Sequence, residues 1–315
     1  MTSCRSDSWK GRDDGPGLEH ARWHNSISPY VPNAVPGSVI VGFASDEGVR
    51  RNQGRVGATE GPNALREALA SLARHDSAPL YDAGDAVVSG DDLESGQRDF
   101  ANLITRALSD GHFTFGLGGG HEIAYASYSG IARALDNDPS RKLGILNIDA
   151  HFDLRVDERA TSGTGFSQIA QDEAAAGRDF CYAAVGISPT SNTRFLFDRA
   201  GELGVTYMLD EQCRLDRLAE VISFVRRFID DVDHLYLTLD LDALPAAVAP
   251  GVSAPAAYGV SMDVICDVLR VAAESGKLLH SDIAELNPSF DVDGRTARSA
   301  ARLINHTITT KDASS

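Results

Sequence analysis

The segment LGILNIDAHFD, Leu143 to Asp153, is an apolar run that ends in Asp149, His151 and Asp153. Extended backbone sends alternate side chains the same way, so a spacing of two puts all three on one side at the carboxyl end of a strand. Two carboxylates and an imidazole converging there repel or desolvate one another unless a cation sits among them. Capping of a βα turn accounts for Asp153 and leaves the set unexplained. LYLTLDLDAL repeats the pattern, with Asp240 and Asp242 ending another apolar run. A carboxylate deep in such a strand destabilises it unless paired or metal-bound. A third stretch, FTFGLGGGHE, leads a strand into Gly118, Gly119 and Gly120, then His121 and Glu122. It has no GxGxxG and no Lys-Ser/Thr pair, which argues against a phosphate loop. Glycine there lets backbone approach a neighbour closely, and His121 taken alone reads as a helix-start or core histidine.

In an open parallel sheet the carboxyl ends of strands gather at one edge, where ligands bind. His121, Asp149, His151, Asp153, Asp240 and Asp242 can therefore meet in one cleft. Four aspartates and two histidines are hard-to-borderline donors. They suit Mn²⁺ better than Mg²⁺, Zn²⁺ or Fe²⁺, and six are enough for two ions with shared carboxylates. Two ions about 3.5 Å apart lower the pKa of a shared water, so the chemistry expected is hydrolysis.

The elements that must bring these residues together alternate along the chain. Apolar, β-branched runs predict strands over 38–43, 113–117, 143–149, 180–187, 205–209, 234–242 and 277–285. Helical spacing falls between them, over 62–74, 97–109, 121–136, 192–201, 213–229, 261–275 and 294–309. Strand and helix in turn, with apolar strands, mean a parallel sheet with helices on both faces. Residues 1–36 have no period and read as a loop-rich arm held down by Trp9 and Trp23; residues 37–315 read as a single domain.

Of 315 residues, 43% are hydrophobic and 23% charged, which fits a globular chain with a sizeable core. Asp and Glu number 45 against 29 Lys and Arg, a formal charge of −16. That field repels phosphate backbones and anionic lipid, so no nucleic-acid and no membrane partner is expected. A small-molecule substrate that is an anion needs local cations in the site. Cys4, Cys181, Cys213 and Cys266 form no CxxC pair and read as neutral thiols. The N-terminus has no apolar h-region and no run is long enough to span a bilayer, so a cytoplasmic protein is expected.

GLGGGHE, NIDAHFDLR and LTLDLDALPAAVAPGVSAP, in this order, resemble the metal-binding motifs of the arginase–agmatinase–formimidoylglutamase (ureohydrolase) family. DIAELNPSFDVDGRTARSAARLI resembles its last strand and helix. The resemblance covers about Ser38 to Asn305. It implies a three-layer α/β/α sandwich around an eight-stranded parallel sheet, two Mn²⁺ per subunit and a homo-oligomer of unspecified size. Carried over by position, His121, Asp149, Asp153 and Asp240 hold one ion. Asp149, His151, Asp240 and Asp242 hold the other, with Asp149 and Asp240 bridging. Asp153 has a catalytic role in proton transfer, and Glu285 binds the cationic C–N group of the substrate.

Within the family, Phe166 stands where arginases carry a histidine, and Arg155 stands where they carry an asparagine. DEGVRRNQGRVGATEGPNALR, GISPTSNT and WKGRDDGPGLEHARWH resemble the formimidoylglutamase branch, which serves histidine degradation. That branch hydrolyses N-formimidoyl-L-glutamate to L-glutamate and formamide. Its substrate has two carboxylates and one amidinium, so Arg155, Asn192 and Arg55 are the candidates for the glutamate end. The alternatives are an agmatinase, guanidinobutyrase or arginase, a one-zinc relative of the deacetylase type, and a binding subunit without activity.

Overall fold

The computed structural model describes residues 8–135 and 140–314. Among these, nine strands form one sheet: β1 Ile27–Pro29, β2 Ser38–Ala44, β3 Leu80–Val87, β4 Phe113–Leu117, β5 Leu143–Ile148, β6 Cys181–Ile187, β7 Thr206–Leu209, β8 His234–Asp240 and β9 Leu278–Ala284. Their order is β1-β3-β2-β4-β9-β8-β5-β6-β7, and every pairing is parallel. The helices are α1 Trp23–Ser26, α2 Glu47–Arg51, α3 Gly61–Ala70, α4 Leu93–Ser109, α5 Ile123–Ala134, α6 Gly165–Ala175, α7 Arg194–Glu202, α8 Leu218–Asp230, α9 Met262–Glu274 and α10 Arg295–Ser314.

The central strands are buried on both faces, and their side chains part alternately between two cores. Leu235, Leu237 and Leu239 of β8 face a core shared with α3, α8, α9 and α10, whereas Tyr236 faces one built with α4, α5, α6 and α7. This is the expected α/β/α sandwich.

The sheet has nine strands rather than the eight expected. Two of them, β1 and β3, escape the hydrophobic pattern. β3 reads LYDAGDAV, with two aspartates and a glycine inside it. Asp82 is buried there because Arg66 of α3 donates to both its oxygens, at 3.0 Å each, and Arg66 Nη1 lies 2.6 Å from Asp85. A Cβ on Gly42 of β2 would come within 1.8 Å of Asp85 Oδ1, so only glycine lets this pair pass. Helix α6, also unexpected, opens on a glycine and has no side-chain N-cap. Residues of the N-terminal arm form β1, which pairs with β3. Trp9 and Trp23 stack at 6.3 Å and are anchored through Nε1 to Asp82 (2.6 Å) and to Asn305 of α10 (2.8 Å).

Cys181, Cys213 and Cys266 are free thiols; Cys4 lies outside the described residues. No helix among the described residues is long and apolar enough to cross a membrane.

Candidate metal centre

Strands β4, β9, β8 and β5 are consecutive neighbours in the middle of the sheet, and the carboxyl end of each delivers part of one site. His121 follows β4 through the three glycines. There Gly119 N donates to Phe43 O (2.8 Å) and Gly120 N to Ser45 O (2.9 Å), and a Cβ on Gly119 would sit 1.8 Å from Ser45 O. The close approach expected of these glycines is to the end of β2. Glu285 follows β9, Asp240 ends β8, and Asp149 follows β5.

The two aspartate motifs fold the same way. His151 N donates to Asp149 Oδ1 (2.7 Å), and Asp242 N donates to Asp240 Oδ1 (2.8 Å). Each is a side-chain turn two residues long, and it aims the Oδ2 atoms at His121. His121 Nδ1 lies 3.2 Å from Asp149 Oδ2, 2.9 Å from Asp153 Oδ2 and 3.3 Å from Asp240 Oδ2. His151 Nδ1 lies 3.5 Å from Asp149 Oδ1 and 3.0 Å from Asp242 Oδ2. Asp153 and Glu285 have φ of +48° and +70°, a region that non-glycine residues enter only when their surroundings hold them there.

Two sets of donor atoms are close enough to share an ion, His121–Asp149–Asp153 and Asp149–His151–Asp242. Asp149 belongs to both, one oxygen on each side. Asp240 reaches the His121 side, while its other oxygen is occupied by the Asp242 amide. The donors fit divalent cations on two further counts. His121 Nε2 lies 3.0 Å from the Thr238 hydroxyl, and a proton kept on Nε2 would leave the Nδ1 lone pair for an ion. Nδ1 of His121 and Oδ1 of Asp242 are buried with no hydrogen-bond partner.

The electrostatics agree. Burial, Asp242 and Asp149 push Asp240 well above the usual carboxylate range. Burial and Asp149 raise Asp153. Burial alone would lower both histidines, but the carboxylates around them outweigh it and hold both well above the ordinary value. Asp149 goes the other way, because hydrogen bonds to both histidines outweigh its burial. The cluster draws protons into a dry place, and a divalent cation would replace them.

A cavity of about 270 Å³ opens over this cluster, lined by His121, His151, Asp153, Asp240, Asp242 and Glu285 on its floor. Glu285 Oε1 accepts from His121 N at 2.9 Å, and burial together with Glu122 pushes its carboxyl up to about 8. Arg55, Arg155 and Asn192 line the same cavity but differ in what they have left to give. Asn192 uses its amide on the backbone of Phe152, Ala150 and Ser188, tying the loop after β5 to the loop after β6. Arg55 donates to the carbonyls of Ser253 and Val252 and lies 3.9 Å over the Phe290 ring. Arg155 makes no side-chain hydrogen bond or ion pair among the described residues, and its stem packs on Gly163, where a Cβ would meet Arg155 Cδ at 2.8 Å.

Asn52, Gln53, Ser162 and Ser253 also line the mouth and were not singled out by sequence. Polar loop residues give no periodic signal; only the backbone of Gln53, at φ +61°, marks the loop as constrained. Phe166 is fully buried, packed edge-on to His121 at 5.6 Å and stacked on Tyr182 at 4.4 Å. It supports a cluster residue from the side and offers no proton.

The arginase family profile matches residues 37–309. The chain is 52% identical to the formimidoylglutamase of Rhodococcus jostii over 302 residues, 96% of this chain and 94% of that one. It is 53% identical to that of Nocardia farcinica over 305 residues, 96% of each chain. Trypanosoma cruzi formiminoglutamase, crystallised with Mn²⁺, superposes with a TM-score of 0.77 at 26% identity, over 87% of this chain and 93% of that one. Bacillus subtilis formimidoylglutamase shares the fold, with a TM-score of 0.80 at 22% identity over 90% and 89% of the two chains. On this profile match and these near full-length relatives, the chain belongs to the arginase family.

Proposed function

We propose that this chain is a binuclear manganese hydrolase that converts N-formimidoyl-L-glutamate and water to L-glutamate and formamide. One observation carries the reading. A single cavity has a buried carboxylate, Glu285, on its floor and an uncommitted guanidinium, Arg155, among its lining. A substrate with an amidinium at one end and carboxylates at the other matches that polarity. The names of the most similar relatives point the same way.

His121, Asp149, Asp153, Asp240, His151 and Asp242 would hold the ions. When bound, two divalent cations supply an activated water and Lewis acidity toward the formimidoyl carbon. The chain's own residues do the rest. Glu285 receives the amidinium N–H groups, and a cation arriving beside it favours its charged form. Asp153 takes the proton that water releases and passes it to the departing amine of glutamate. Water oxygen ends on the formimidoyl carbon, the C–N bond to glutamate breaks, and formamide leaves. Arg155 grips a substrate carboxylate with two parallel hydrogen bonds.

The test is a substrate panel on protein reconstituted with Mn²⁺: formimidoylglutamate, agmatine, 4-guanidinobutyrate and arginine. Formamide and glutamate should appear from the first at far higher kcat/KM than urea from the others. A preference for any urea-releasing substrate overturns the assignment in favour of another ureohydrolase.

A further inference from the structure

Behind the metal centre lies a polar cluster that the chemistry above does not use. Thr114 of β4, Ser127 of α5, Tyr236 and Thr238 of β8, and His280 and Asp282 of β9 are all fully buried. Asp282 Oδ2 accepts from Ser127 Oγ (2.5 Å) and Tyr236 OH (2.6 Å) and lies 3.4 Å from His280 Nε2. His280 is itself held between Thr114 Oγ1 (2.8 Å) and Ser127 Oγ (3.0 Å). A Cβ on Gly116 of β4 would come within 2.7 Å of Asp282 Cβ, so β4 is held to glycine beside this position.

Such a cluster is a poor way to stabilise a core, since apolar residues of the same volume usually do as well or better. Its geometry leads outward at one point. Thr238 stands directly opposite Asp282 in the β8–β9 register, its hydroxyl beside that carboxyl. The same hydroxyl faces His121 Nε2 at 3.0 Å. If Thr238 Oγ1 accepts the His121 proton, its own proton needs an acceptor. Asp282 Oδ1, buried and without a hydrogen-bond partner, is the acceptor left open within the cluster.

We propose that Asp282, acting through Thr238, is a positioning residue that fixes the tautomer and orientation of His121, so that Nδ1 presents its lone pair to a metal ion. The inference rests on the metal-binding reading above. The relay runs His121 Nε2–H to Thr238 Oγ1, and Thr238 O–H to Asp282 Oδ1. Ser127, Tyr236 and His280 hold Oδ2 and so fix which oxygen faces Thr238. Outer partners of this kind change metal affinity by about 10- to 100-fold when removed.

The test is titration of chelator-treated protein with Mn²⁺, read by calorimetry and by metal content, beside thermal melts without metal. Wild type should bind two Mn²⁺ per chain; if it binds none, the metal-binding reading falls and this inference with it. Thr238→Val keeps the volume and removes the relay. It should melt cooperatively, bind one of its two ions about 10- to 100-fold more weakly, and leave the other unchanged. Thr238→Ser should restore wild-type binding. Asp282→Asn should behave like Thr238→Val, because its carbonyl will turn to the donors at Oδ2 and its NH₂ to Thr238, reversing the relay. If wild type binds two ions and Thr238→Val binds both with unchanged affinity, the relay is overturned alone. It is overturned too if Thr238→Val has no cooperative melt, since the hydroxyl then serves the core.

Discussion

Arg66 and His121 are each buried among aspartates, one toward the β1–β3 edge and the other at the centre of the sheet, and their charges are closed differently. Around Arg66, the cation supplies the donors that Asp82 and Asp85 need, and Trp9 Nε1 adds another. Arg66 Nη1 has no well-aligned hydrogen bond, but it lies 2.6 Å from Asp85 Oδ1, so the charges of this cluster are met within the chain. Around His121, the carboxylates of Asp149, Asp153, Asp240 and Asp242 meet two imidazoles and a few neutral amides, and buried Nδ1 and Oδ1 atoms remain without partners. Burial of charge is common to both. What separates a structural ion cluster from a binding centre is the unsatisfied remainder, aimed inward at a shared point beneath an open cavity.

Removing a carboxylate expected to bridge the two ions should have the largest effect. Asp149→Asn or Asp240→Asn should abolish hydrolysis and reduce Mn²⁺ from two to at most one per chain, read by plasma emission. Two tightly bound Mn²⁺ in either variant would erase the distinction between the clusters. At the other cluster, Arg66→Ala leaves Asp82 buried and uncompensated, a loss of about 3–5 kcal/mol in urea unfolding. Mn²⁺ content at low temperature should stay at two; loss of metal there would mean that the two clusters are coupled.

Arg155→Ala removes a charged hydrogen bond to substrate, about 1.5–3 kcal/mol, so kcat/KM for formimidoylglutamate should fall about 10- to 100-fold, chiefly through KM. Metal content should not move, and activity on agmatine, which has no carboxylate, should hardly change. An Arg155→Ala enzyme equal to wild type on formimidoylglutamate makes Arg155 a solvated surface cation.

The smallest effect is in stability against pH without metal. Asp153, Asp240, Asp242, Glu285, His121 and His151 all have folded pKa values above their ordinary ones. For each, the folded state binds protons more tightly than the unfolded chain, so its stabilisation is full at low pH and is lost as pH rises. Asp149 has the opposite sign, but its window lies below 3.8. The melting temperature of metal-free protein should therefore fall by a few degrees as pH rises from about 4.5 through about 8, the interval over which Glu285 gives up its proton, and added Mn²⁺ should recover most at the upper end. A flat profile would mean that the cluster is not proton-loaded.

The ends of the strands were legible because their signal is local. Asp149, His151 and Asp153, then Asp240 and Asp242, each stop an apolar run at a spacing of two, and backbone geometry turns that spacing into a shared direction whatever the rest of the chain does. Charge balance likewise required a cation in any pocket that takes an anion. Tertiary structure decided which strands meet. Strands β4, β9, β8 and β5 are neighbours although β6 and β7 separate β5 from β8 along the chain, because crossover helices choose the order by packing on the two faces. It also decided which cations are available: Arg55 and Arg155 look alike in sequence, and only folding supplies the carbonyls and the Phe290 ring that occupy Arg55. Strand β3 was hidden because its aspartates belong to a partner, Arg66, that folding brings from α3. Thr238 and Asp282 were unreadable for the same reason: a threonine and an aspartate in two separate apolar runs acquire a common purpose only when the register sets them side by side.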